Sequence, residues 1–177
     1  MAPVDRLTRF SLIPERSAVV VEATSNVGPI MFGTSGITGE ILAVLSEGSV
    51  DPGTAAARLE VRVDLLASGN HLYDSELRRR IDARRFPRST VELHAAARRS
   101  DGAGFDVTGD IVFHGVRRTL TGGVTVTVSD GPRLVVTGEE LVDIRDFAMA
   151  PPTMLMLKIE PEVNVRLHVE AAADEVS

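Results

Sequence analysis

The chain has 177 residues, 44% of them apolar and 25% charged, the balance of one globular domain able to bury its own core. It holds no cysteine, which excludes a disulfide framework, a thiolate metal site and thiol chemistry. A net charge of −6 has the wrong sign for a nucleic-acid binder, and one tyrosine with no tryptophan leaves few stacking platforms.

From Met1 to Arg9 no apolar run reaches the length of a signal peptide, so a cytosolic protein is expected. Strand patterns follow at 8–13, 17–25 and 37–44. At the entry to the last of these, Gly33-Thr-Ser-Gly36-Ile-Thr-Gly39 spaces three glycines regularly. No lysine follows it and a strand comes next, so turn and bulge chemistry is expected there. In 58–65, Leu59, Val61, Val63 and Leu65 alternate strictly with Arg58, Glu60, Arg62 and Asp64, the mark of a half-buried antiparallel strand. The period changes only at 71–82, where Tyr73, Leu77 and Ile81 fall on one face of a short helix. Its early Asp74 and Glu76 and late Arg78, Arg79 and Arg80 suit the helix dipole. Further strands are expected at 89–98, 104–114, 118–128, 133–145 and 163–170. Asp101-Gly102 and Asp130-Gly131-Pro132 lie between them as hairpin loops do. The connections at 46–53 and 148–153 are longer. The most apolar stretch, 149–159, is broken by Pro151 and Pro152 and is shorter than the roughly 20 residues of a membrane span.

This pattern predicts an all-β protein of eight or nine antiparallel strands with one short helix between the fourth and fifth. A closed barrel removes exposed strand edges and is the economical arrangement; a sandwich is the alternative. An eight-stranded barrel is either filled by its own side chains or hollow enough for one ligand.

The stretch Val107-Thr-Gly-Asp-Ile-Val-Phe-His-Gly-Val-Arg-Arg-Thr-Leu120 resembles the signature hairpin of the YceI family of lipocalin-like, lipid-binding barrels. Other segments fall in that family's order. Ser17-Ala-Val-Val-Val-Glu22 is similar to its opening strand, and Ser68-Gly-Asn70 with Asp74 and Leu77 to its helix start. Phe86-Pro87, Arg145-Asp146-Phe147 and Glu162-Val163 resemble the later landmarks. The resemblance implies an eight-stranded (or slightly larger) barrel domain over 8–171, with an N-terminal arm at 1–7 and a flexible tail at 172–177. It also implies a polyisoprenoid or related amphiphile as ligand, and a homodimer. The sequence departs from the family at Tyr73, where arginine is usual, and at Glu76, where histidine is usual. The segment between Leu77 and Pro87 is short and lacks the usual paired phenylalanines, and 26–39 lacks the usual histidine-leucine pair.

The residues expected to line the interior are Val19, Val21, Phe32, Val61, Val63, Leu77, Val91, Ile111, Phe113, Met154, Met156 and Val165. Six arginines lie within 78–88, and of these Arg78, Arg80 and Arg84 are candidates to hold an acidic head group at the rim. The same arginines also suit a solvated helix face. His71, His94, His114 and His168 are scattered and form no metal-binding spacing. His114 follows Asp110 by four residues, which on a strand would put both on the outward face with Thr108. A hydrogen bond to a turn is the role expected for His114, with an acid–base pair the lesser reading. No G-x-S-x-G elbow or other activated nucleophile is present, so no catalytic residue, metal or cofactor is expected. Two functions remain: a carrier that encloses an apolar or amphiphilic chain, or a non-catalytic interaction or stress-associated module with a filled or small-ligand barrel.

Overall fold

Alternating runs of valine, threonine and isoleucine set the secondary structure. The computed structural model describes residues 6–102, 104–151, 153–154 and 156–174. In chain order the strands are β1 (Leu7–Leu12), β2 (Ala18–Ser25), β3 (Gly28–Thr34), β4 (Ile37–Ser46), β5 (Ser49–Val50) and β6 (Ala56–Arg62). The helix α1 (His71–Arg80) follows, and then β7 (Arg88–Arg98), β8 (Phe105–Phe113), β9 (Val116–Ser129), β10 (Arg133–Asp143), β11 (Thr153–Met154) and β12 (Leu157–Ala173).

These segments make eight staves. β1 and β2 are one long stave bent at the turn of 3-10 helix Pro14–Arg16, because β1 pairs with β4 while β2 pairs with β3. β3 and β4 form a second such stave. Then β6, β7, β8, β9, β10 and β12 follow, each antiparallel to the one before. The circle closes where β12 meets the first stave, through Leu12↔Ala171 and Phe10↔Ala173 on β1 and through Val19↔Leu167 and Ala23↔Val163 on β2. No helix among the described residues is long and apolar enough to cross a membrane.

The barrel, the single helix and the two hairpin loops agree with the pattern read from sequence, and four details differ. The strand at 58–65 stops at Arg62, where Val63–Leu65 turns into a 3-10 helix. Val63 stays buried, while Leu65 swings out to 51% exposure. β3 lies where only turns were expected, because Ile30, Phe32 and Thr34 keep a period-two inward phase although glycines interrupt it. β10 gives way at Asp143 to the 3-10 helix Ile144–Phe147. At the margins, Leu7 already pairs with Val44, and Ala172 with Ser11, so both belong to the wall rather than to an arm or tail.

Gly39 shows how closely the staves approach. Its φ is +150°, and a Cβ there would lie 2.2 Å from the Arg58 carbonyl oxygen. Only glycine lets β4 run this near β6. Gly39→Ala is therefore expected to cost at least about 2 kcal/mol of stability. Urea unfolding reads this directly, and a wild-type midpoint would show that the strand relaxes around the added methyl.

Candidate binding lumen

Because side chains alternate along each strand, one face of every stave points into the barrel. Towards the end that carries the chain termini this inner face is packed solid: Phe10, Ala43 and Ala171 have no exposed surface, and Leu134 and Val169 almost none. Arg98 covers that end, its guanidinium lying 5.4 Å from the centroid of the Phe105 ring and donating to Ser49 Oγ and the Val50 carbonyl. The opposite end is closed by Val63, Leu66, Ile81 and Ala83 from the segment around α1, packed under Ile30 and Phe32. Phe147, Met149 and Leu157 complete that closure.

Midway the inner face is different. Val21, Val91, Val107, Ile111, Leu120, Val124, Val136 and Val165 all point inward by register, yet each keeps part of its surface exposed. Such side chains are less closely packed than those at the two ends, as a barrel with room for a guest requires. The space is apolar, as an alkyl-chain site requires.

The expected interior residues divide between these regions. Val21, Val91, Ile111, Phe113 and Val165 surround the lumen or its edge, and Leu77 turns the inner face of α1 towards the core. Val19, Phe32, Val61 and Val63 are buried in the packed wall beside it. Met156 is corrected: it sits in the turn between β11 and β12 with φ +71° and is 91% exposed, so it points away from the barrel. The Met154 side chain lies outside the described residues. Val107 was expected to point inward with Ile111 and Phe113; Leu120, Val124 and Val136 were not singled out from sequence, although each lies on the apolar phase of a strand recognised there.

Two capping arrangements fix α1. The Asn70 side chain accepts from the amides of Leu72 and Tyr73. Asp74 is buried and accepts from the Ser68 amide and hydroxyl, both at 2.7 Å. Burial pushes the Asp74 carboxyl up, but these bonds, the Gly69 amide and the Arg78 charge together hold it below the usual carboxylate range. Of the candidate head-group arginines, Arg80 is engaged by Glu76 at 2.9 Å and by the Thr153 carbonyl at 3.4 Å. Arg78 and Arg84 are exposed.

Asp110 and His114 do not form a pair. Asp110 lies on the outer face and binds Thr119, His94 and Arg117 at 2.6, 2.9 and 2.8 Å. The Thr119 hydroxyl, followed by His94, holds its carboxyl down to about 2. His114 has left the strand for a tight turn with Gly115, both at positive φ. Its Nδ1–H donates to the Phe147 carbonyl at 3.0 Å, the turn contact expected for it, and its ring meets Phe86 edge-on. Among the described residues no three His, Asp or Glu side chains gather as a metal site requires.

Comparison with known proteins adds the following. The model of the YceI-like domain matches residues 10–171. A search of curated proteins finds no match. Burkholderia cenocepacia BcnA superposes with a TM-score of 0.78 at 18% identity, over 91% of this chain and 99% of its own. A polyisoprenoid binding domain from Saccharophagus degradans, implicated in plant cell wall breakdown, gives 0.72 at 16% identity, over 96% and 100%. The Campylobacter jejuni YCEI protein gives 0.64 at 15%, over 79% and 82%. At these identities the likeness is one of fold.

Asp74→Ala is expected to lower stability by about 2–3 kcal/mol at pH 7, since two charge-assisted bonds are lost. Because the folded carboxyl titrates below its unfolded value, its contribution is full above about pH 4 and fades as pH falls through the lower folded value. The difference between wild type and variant should therefore shrink in acid. Chemical unfolding at a series of pH values tests this, and a constant difference would mean the carboxylate charge is not what anchors α1.

Proposed function

This chain belongs to the YceI-like domain family, and from that premise we propose that it binds and carries a single apolar or amphiphilic chain, such as a prenyl or fatty-acyl compound, inside its barrel. The observation that supports the reading is the band of inward, apolar, partly exposed side chains between two packed ends. Each methylene moved from water into such a space contributes about 0.8 kcal/mol. Ten would give about 8 kcal/mol gross, enough for useful affinity once association costs are subtracted. Encapsulation needs no general acid, nucleophile or cofactor. Arg78 and Arg84, exposed beside α1, are the better placed of the three arginines to meet an acidic head group, since Arg80 is held by Glu76. A homodimer is part of the same proposal, and sedimentation velocity tests it.

Native mass spectrometry before and after organic extraction tests the carrier reading, with titration by prenyl and fatty-acyl probes if the protein is isolated empty. A removable extra mass, or saturable probe binding, is expected. Absence of both would favour a barrel filled by its own side chains and acting through its surface.

Ile111→Trp places a large side chain in the lumen, and it is expected to weaken probe binding at least tenfold, about 1.4 kcal/mol. Ile111 is only partly buried, so the melting temperature should move by no more than about 4 °C. Unchanged affinity would move the ligand out of the lumen. Arg78→Ala with Arg84→Ala should weaken an acidic probe and spare a neutral one of equal chain length. Equal effects on both probes would remove these arginines from head-group binding.

A further inference from the structure

The wall of the barrel is incomplete on one side. β9 has 14 residues and β10 has 11, yet their ladder runs only from Ser129↔Arg133 to Val124↔Gly138. Below it, β9 remains paired to β8 down to Val116, and β10 to β12 down to Asp143. Beyond Val124↔Gly138 no pairing is described between 116–122 and 140–143. The pairing stops at a cluster of glycines, Gly122, Gly123 and Gly138; a Cβ on Gly138 would meet Val124 at 3.1 Å, and the Glu140 carboxylate of β10 reaches across to within 2.9 Å of where a Gly122 Cβ would stand.

What lines this gap differs from the rest of the inner face. Arg118 opposes Ile111, and Glu140 opposes Val165, so both stand in the inward phase of their strands. Both are nevertheless exposed. Charged side chains in the inward phase stay hydrated only where the wall admits water. Leu120 and Val142, on the facing strands, are inward and partly exposed. An apolar path therefore runs from this opening to the lumen, whose two ends are packed.

We propose that the gap between β9 and β10 is the passage through which an apolar chain enters and leaves the lumen; this rests on the carrier reading above. A long flexible chain needs only a slot as wide as one missing strand pairing, and the slot lies alongside the lumen's length rather than across its end. The charges at the slot stay with water and with the polar end of the guest while the chain passes between Leu120 and Val142.

The absence of native cysteine makes a direct test available. Continuing the β9–β10 register sets Thr121 opposite Leu141, both exposed on the outer face. Thr121→Cys with Leu141→Cys, bridged by a short bismaleimide, ties the gap shut without entering the lumen. Thr125→Cys with Thr137→Cys, at positions already paired, is the control. Stopped-flow fluorescence with cis-parinaric acid reads uptake and release. Bridging the gap should slow both at least about tenfold with little change in equilibrium affinity, and bridging the control pair should alter neither. Unchanged rates in the bridged gap variant would overturn the passage and leave the carrier reading standing. No probe binding by the unbridged protein would overturn both. A loss of affinity arising from faster release would place the effect in the lumen and also overturn the passage. So would loss of a dimer on bridging with no change in rates, since the open edges would then pair with a second copy.

Discussion

Closure of the barrel depends on one strand. β12 is 17 residues long because it must satisfy both closing edges of the wall, β10 along one and β2 and then β1 along the other, besides the short β11 at its start. The alternation of Val163, Val165, Leu167 and Val169 holds over its central stretch, so a slip of one residue would turn the whole apolar row to solvent. That cost fixes the register against both partners at once. The bend at Pro14–Arg16 lets a single stave meet β12 at two levels, with the Ser17 hydroxyl donating to the Ile13 carbonyl at the corner.

Once closed, the barrel distributes its side chains unevenly. Large residues fill the end near the chain termini, and the segment around α1 fills the other. The middle is lined by valines, Ile111 and Leu120, each only partly buried. Charge enters the inward phase at the margins, as Arg98 at the packed end and as Arg118 and Glu140 beside the gap between β9 and β10. Asp110 is neutralised on the outer face by His94, Arg117 and Thr119, and the arginine-rich end of α1 is partly held by Glu76. The interior is thus left to apolar contact, which discriminates by shape and length more than by functional group.

Much of this was legible in the sequence for a physical reason. Period-two alternation is a property of the strand itself, so 163–170 and the core of 58–65 could be read without knowing what they pack against. The helix announced itself over 71–82 by its change of period and by Asp74 and Glu76 near its start, and it ends two residues earlier, at Arg80. Features set by distant contacts were hidden. Gly28–Thr34 is a strand because β2 offers it a partner, which no local glycine count reveals. Val63 leaves its strand although its alternation continues, because the chain must turn there towards α1. His114 stands four residues from Asp110, but strand spacing says nothing once a tight turn begins between them. The inward phase of Glu140 was present in the alternation of β10, but its exposure follows from a ladder that stops at Gly138.

The packed row at Phe10, Leu134 and Val169 acts as a floor, and a floor gives the lumen a depth. From the level of Val169 to that of Val163 is about 20 Å along β12, or about 15 Å along the axis at ordinary strand tilt. A guest is thereby measured as well as enclosed. On the carrier reading, chains up to that depth would lie wholly within, whereas longer ones would double back or leave their remainder in solvent, and the barrel would work as a ruler for hydrocarbon length.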